Sequence, residues 1–248
     1  MRIYHPITLT PGESVELDAK ASHHIRTVMR AKENDPITLF NGEGGEYAGI
    51  LTHLSKKKVI VHIASFSPRE AESPLTLYLA QGLSRGEKMD FTIQKAVELG
   101  IQKIIPLLTD RSTLKLTPDR LQKRMQHWES IVIHAAEQCG RNRLPAILPP
   151  MTLSELLTEL PAEWYFILNP ANTPSVPLSL QKNHRIVMII GPEGGFSAQE
   201  MAFAMKNKCQ SLNLGPRILR TETAGLAAIT FFQSHFGDMQ NFWNFKNA

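Results

Sequence analysis

Two segments in the last quarter of the chain combine residue types that handle ligands. The first, Gly191-Pro192-Glu193-Gly194-Gly195-Phe196, directly follows the apolar run 186–190. Ser197 and Glu200 after it form an S-x-x-E capping box for the next helix. Glycines admit positive φ and let a ligand approach the backbone. Amides at a helix start suit an anionic or polar group. Three glycines and a proline exceed what a tight strand-to-helix turn requires, so a ligand loop is expected. The second segment, Gly215-Pro216-Arg217-Ile218-Leu219-Arg220-Thr221-Glu222-Thr223-Ala224, follows the run 212–214. Apolar Ile218 and Leu219 beside backbone amides suit a flat heterocycle such as adenine. Arg217 and Arg220 suit a phosphate or a developing oxyanion. Glu193 and Glu222 are the loop carboxylates with the chemistry of a general base, and Glu222 equally suits a helix cap.

Other chemistries lack their residues. There is no G-x-G-x-x-G after a strand, no G-x-x-x-x-G-K-[ST] and no H-E-x-x-H. There is no G-x-S-x-G elbow. His23 and His24 are adjacent and cannot share one face of a helix or strand. The two cysteines, Cys139 and Cys209, form no C-x-x-C pair, so neither a zinc ribbon nor a dithiol motif exists and no metal is expected. Cys139 lies in a helical run before Gly140 and reads as a small buried residue rather than a nucleophile.

Ligands of open α/β sheets bind beyond the carboxyl ends of strands, so both loops need a parallel sheet behind them. The pattern supplies one. Strands are predicted at 75–80, 104–108, 164–168, 186–190 and 211–214, and helices at 89–99, 117–139, 152–160, 198–208 and 223–236. Such alternation implies an α/β domain with a mostly parallel sheet covered on both faces. Pro106 places the strand 104–108 at an edge, or itself at a strand end. Before position 65 the runs 37–40, 47–54 and 59–63 are short and β-rich, the pattern of a small barrel or sandwich. The polar stretch 65–74, with Pro68 and Pro74, reads as a linker between domains 1–70 and 74–248.

The 248 residues carry 27 Lys/Arg and 23 Asp/Glu, a net charge of +4. The window 111–143 alone holds seven cations against three acids, an excess equal to that whole charge. Such an excess attracts phosphates, although on charge alone a solvated helix face is the simpler reading. No apolar run approaches the ~18–20 residues that span a bilayer. The start shows no apolar signal region, and a reducing cytoplasm is the simpler setting for two cysteines.

The loops 191–197 and 214–224 together resemble those of the SPOUT methyltransferases. More closely, they resemble the ribosomal RNA small-subunit methyltransferase E family. Lys88-Met89-Asp90, the run from Gln94 to Gly100, Glu137-Gln138-Cys139-Gly140-Arg141 and the run from His23 to Arg30 also fit, in order and over nearly the whole chain. Met29 stands where the family often has leucine, and Asn34 where glycine is common. Asn tolerates the left-handed region that such a glycine serves.

The resemblance implies N3-methylation of a uridine in small-subunit (16S) ribosomal RNA, with S-adenosyl-L-methionine as methyl donor. It implies a PUA-like β-barrel before a SPOUT domain with a C-terminal trefoil knot, and a homodimer. By matching motifs, Leu168, Gly191, Pro192, Glu193, Gly194, Leu214, Gly215, Ile218, Leu219 and Thr223 surround the cofactor. Arg217, Arg220, Glu193 and Glu222 are the candidate catalytic residues. Arg2, His23, Arg26, Arg30, Lys88, Arg111, Arg141 and Arg143 are candidates for RNA contact, as free ribosomal RNA or in an assembled small subunit. A SPOUT enzyme acting on a ribose 2′-oxygen and an RNA-binding module without catalysis are the alternative readings.

Overall fold

The computed structural model describes residues 1–56, 58–84, 87–112, 117–169 and 184–242. Lys115 of the basic window lies outside them. The chain divides into two units, Met1–Glu72 with Ile133–Leu144, and Ser73–Val132 with Pro145–Ala248. The segment Ile133–Leu144, which a division at 70 and 74 leaves with the second domain, thus joins the first unit.

The first unit holds strands β1 (Arg2–Tyr4), β2 (Ser14–Glu16), β3 (Pro36–Phe40), β4 (Glu46–Leu54) and β5 (Val59–Ser67). They form one sheet in the order β1-β3-β4-β5-β2. β1 runs parallel to β3, and the other pairs are antiparallel. Inward residues of alternating strands build its core, among them Ile3, Leu39, Leu51, Val61 and Ile63. The expected linker begins later than its composition implied. Residues 65–67 continue β5, because Glu46 at the far end of β4 pairs with Ser67. Asp18 caps the short helix α1 (Ala19–His23), its carboxylate accepting from the Ala21 amide at 2.8 Å. A wider π-helical turn, His24–Val28, follows, and Arg30 closes it with a φ of +52°. Asn34 has a φ of +73°, in the left-handed region that asparagine tolerates.

In the second unit, β6 (Thr76–Gly82), β7 (Lys103–Leu108), β8 (Ala146–Ile147), β9 (Met151–Thr152), β10 (Trp164–Leu168), β11 (Arg185–Ile190) and β12 (Gln210–Leu212) form a sheet. The order is β12-β10-β11-β6-β7-β8, with β9 also on β7, and every pair is parallel. The central strands β6 and β11 are buried along almost their whole length, as expected for strands covered on both faces. The helices are α2 (Lys88–Glu98), α3 (Pro118–Cys139), which passes into the first unit at Ile133, α4 (Leu153–Glu159), α5 (Ala198–Lys206) and α6 (Thr221–Phe236). On α2, Met89, Ile93, Ala96 and Val97 form the buried stripe, and Gly100 with a φ of +84° ends the turn after it.

Pro106 proves not to mark an edge. β7 lies inside the sheet, but its outer neighbour is interrupted there. β8 pairs with residues 103–104 and β9 with 107–108. The proline falls in the gap, where its missing N–H costs no ladder bond. Among the described residues no helix is long and apolar enough to cross a membrane.

Candidate functional site

The carboxyl ends of β10, β11 and β12 open onto one cavity of about 610 Å³ within the second unit. Both loops singled out by sequence meet there, although β10 separates their strands. Gly191, Pro192 and Glu193 line it from the first loop; Leu214, Gly215, Arg217, Ile218, Leu219 and Arg220 line it from the second. Leu168 closes β10 on the same wall.

Each loop has a local reason for its shape. In the first, the Gly195 amide donates to the Pro192 carbonyl at 2.8 Å, closing a turn in which Gly195 has a φ of +68°. Ser197 and Glu200 form the expected capping box at the start of α5. The Ser197 and Glu200 amides are therefore taken by the box, at 2.7 and 3.1 Å, and do not face a ligand. In the second, the Asn213 side-chain oxygen accepts from the Gly215 amide at 2.8 Å. Gly215 has a φ of +112°, a conformation that favours glycine.

The cavity rests on close backbone packing and a buried polar chain that the sequence reading missed. A Cβ on Gly82, at the end of β6, would collide with the Pro192 nitrogen and stand 2.7 Å from the Gly191 carbonyl carbon. Gln81, 1% exposed, donates its side-chain N–H to the Thr221 hydroxyl at 2.7 Å. That hydroxyl donates to the Gly191 carbonyl at 2.6 Å. One relay thus joins β6, the first turn of α6 and the start of the first loop. No motif announced it. The only signal available was a glutamine inside an otherwise apolar strand.

Charge is concentrated on one part of the wall. Lys88, Glu193, Arg217 and Arg220 all line the cavity, and the Lys88 ammonium stands 2.9 Å from a Glu193 carboxylate oxygen. Ile218 is 87% exposed. Neither cysteine lines the cavity, and burial pushes the Cys209 thiol up to about 11. Among the described residues no group of three His, Cys, Asp or Glu is placed to hold a metal.

Other expected residues lie elsewhere. Gly194 and Thr223 are exposed and do not line the cavity, whereas Thr221 and Ala224 do. Glu222 is also absent from the lining; its Oε2 is buried without a hydrogen-bond partner among the described residues. Arg2 and Arg141 prove to be ties within the first unit. Arg2 donates to Glu46 at 2.6 Å and to the Arg141 carbonyl at 3.0 Å. Arg141, 3% exposed, makes a two-pronged pair with Glu72. His23, Arg30 and Arg143 are exposed, and Arg26 is half-buried. Arg111 donates to the Gly194 carbonyl at 2.9 Å.

The cavity fits S-adenosyl-L-methionine. Its volume is that of a small-molecule site. Leu168, Ile190, Leu214 and Leu219 offer apolar walls for a purine, and Glu193 offers a carboxylate for a cationic group. A Cβ on Gly191 would stand 3.2 Å from Phe196, so glycine there lets that ring pack closely on the loop backbone.

Comparison with known proteins agrees with this geometry. Residues 71–233 match the family model for an RNA methyltransferase domain, and residues 17–64 that for an RNA methyltransferase PUA domain. Ribosomal RNA small subunit methyltransferase E of Buchnera aphidicola subsp. Schizaphis graminum is 34% identical over 96% of this chain and 97% of its own. The protein of the same name from Bacillus subtilis is 32% identical over 84% and 85%. The crystal structure of that enzyme from Neisseria gonorrhoeae, bound to S-adenosyl methionine, superposes with a TM-score of 0.89 at 39% identity, covering 96% of this chain and 98% of that one. By sequence and fold, the chain belongs to the ribosomal RNA small subunit methyltransferase E family.

Proposed function

We propose that the chain, an S-adenosyl-L-methionine-dependent methyltransferase of small-subunit ribosomal RNA, delivers the methyl group to N3 of a uridine. The observation that carries this reading is the convergence of both Gly-Pro loops on one cavity that holds a carboxylate and three cations. When bound, the cofactor supplies an electrophilic methyl group on a positively charged sulfur.

The residues of the chain do the rest. Uracil N3 carries a proton between two carbonyl groups and must lose it to become a nucleophile. Glu193 accepts that proton as general base. The resulting anion spreads onto the flanking oxygens, where Arg217 and Arg220 donate hydrogen bonds. The N3–carbon bond forms as the sulfur–carbon bond breaks. The target base is turned out of its stack to reach the cavity. Leu168, Gly191, Pro192, Leu214, Gly215, Ile218 and Leu219 hold the cofactor, and Thr221 takes the place first given to Thr223.

RNA contact falls to the exposed or half-buried side chains of His23, Arg26, Arg30 and Arg143, with Lys88 at the cavity. Their phosphate contacts release counterions, so affinity falls steeply with salt. The strongly exposed Ile218 at the cavity supports a homodimer in which a second copy covers it. The return of the chain from the edge strand β12 to α6, bonded to Gly191, supports the trefoil knot. A ribosomal substrate supports a cytoplasmic setting.

The test is methylation of small ribosomal subunits with labelled donor, followed by identification of the modified nucleoside. N3-methyluridine is expected. A 2′-O-methyl nucleoside moves the acceptor to the ribose, and no transfer makes the chain a binding module.

A further inference from the structure

The loop 191–197 contains three glycines, and glycine loses the most freedom when a chain is ordered. Holding it in one shape requires ties from outside. Thr221 holds its beginning at the Gly191 carbonyl. Its middle and end are held by the turn after β7, residues 109–112, which sequence reading assigned to nothing but RNA contact through Arg111.

This turn is itself stiff. The Ser112 amide donates to the Thr109 carbonyl at 3.0 Å, and the Thr109 amide donates to the Ser112 hydroxyl at 3.2 Å. From it, three hydrogen bonds reach the loop and the start of α5. The Arg111 guanidinium donates to the Gly194 carbonyl at 2.9 Å. The Ser197 hydroxyl donates to the Asp110 carboxylate at 2.6 Å. The Asp110 amide donates to the Glu200 carboxylate at 3.0 Å. The capping box of α5 is therefore shared with a second strand end, since Ser197 and Glu200 each bond both to each other and to Asp110. The Arg111 stem crosses directly over Gly194, where a Cβ would stand 3.1 Å from the Arg111 Cβ.

We infer that Asp110 and Arg111 are positioning residues for the cofactor loop, acting through Gly194 and Ser197, and that Arg111 serves cofactor affinity rather than RNA contact. The inference rests on the reading that the cavity takes S-adenosyl-L-methionine. A loop held ready binds more tightly because less ordering is charged against binding. Removing one tie leaves the cavity walls in place and lets the loop wander.

The experiment is calorimetric titration of S-adenosyl-L-methionine into the full chain, with thermal unfolding of each variant alongside. Arg111→Ala raises the cofactor Kd roughly three- to tenfold, the loss of one hydrogen bond. Asp110→Ala does the same by a separate tie. Arg111→Lys, which retains a donor, recovers part of the affinity. KM for small ribosomal subunits does not change in Arg111→Ala, a split that general destabilisation does not produce. Unchanged cofactor Kd in both alanine variants overturns the inference, as does a rise confined to the subunit KM. Should Arg111→Ala not fold, Asp110→Ala alone decides. Absence of binding by the unaltered chain refutes the cofactor reading instead, and the inference with it.

Discussion

The ammonium of Lys88, the first residue of α2, stands 2.9 Å from the carboxylate of Glu193, and both side chains line the cavity. Partly exposed pairs of this kind contribute about 0–1 kcal/mol to stability, so folding gains little from this one. Glu193→Gln keeps the size of the side chain and removes the proton acceptor. The kcat for methyl transfer to small subunits falls about 10²–10⁴-fold, while the unfolding midpoint stays where it was. An unchanged rate removes Glu193 as the base.

Arg220 lines the cavity immediately before the first turn of α6. Donors aimed at developing negative charge act mainly in the transition state. Arg220→Ala therefore lowers kcat by about 10²–10³-fold and leaves cofactor affinity unchanged by calorimetry. A loss confined to cofactor affinity moves Arg220 from the acceptor base to the cofactor.

The relay from Gln81 through Thr221 to Gly191 is buried and tied at both ends. Thr221→Val preserves shape and deletes the hydroxyl, stranding an amide N–H and a carbonyl. Denaturant unfolding should report a loss of about 1–3 kcal/mol, and cofactor affinity should fall with it. Thr221→Ser restores both. Stability equal to the unaltered chain shows that the relay holds nothing.

His5 gives the first unit a pH dependence. Burial pushes its imidazole below the ordinary value of 6.5, against the raising pull of Asp18, 4.0 Å away, and the Glu16 backbone. The unfolded chain thus takes up the proton first. Stability from this residue is full above about pH 6.5 and is lost as pH falls below it, with a limiting slope of about 1.4 kcal/mol per pH unit. Unfolding followed from pH 8 to 5.5 should show a steeper decline for the native sequence than for His5→Phe. Parallel profiles contradict this.

Much of this was legible in the residues because local pattern and function coincide. Four glycines, two prolines and a capping box marked the loops before any fold was known, and the buried runs of β6 and β11 marked the sheet. What escaped depended on distant partners. β1 and β2 have three residues each, too few for alternation to register, and exist only through β3 and β5. Pro106 looked like an edge signal because nothing local shows that β8 and β9 leave a gap beside it. The ion pairs of Arg2 with Glu46 and of Arg141 with Glu72 were invisible because composition does not show which carboxylate meets which cation. That Thr221 rather than Thr223 lines the cavity was not legible, because a motif gives a neighbourhood and not the side of the helix.

The central claim is that loops 191–197 and 214–224 together hold the methyl donor. A crystal structure of the chain with S-adenosyl-L-methionine tests it most directly. The account predicts the adenosyl group between Leu168, Gly191 and Leu219, with its sulfur toward Glu193 and the two loop arginines. Density for the nucleoside anywhere outside that cavity, or none at saturating concentration, contradicts it.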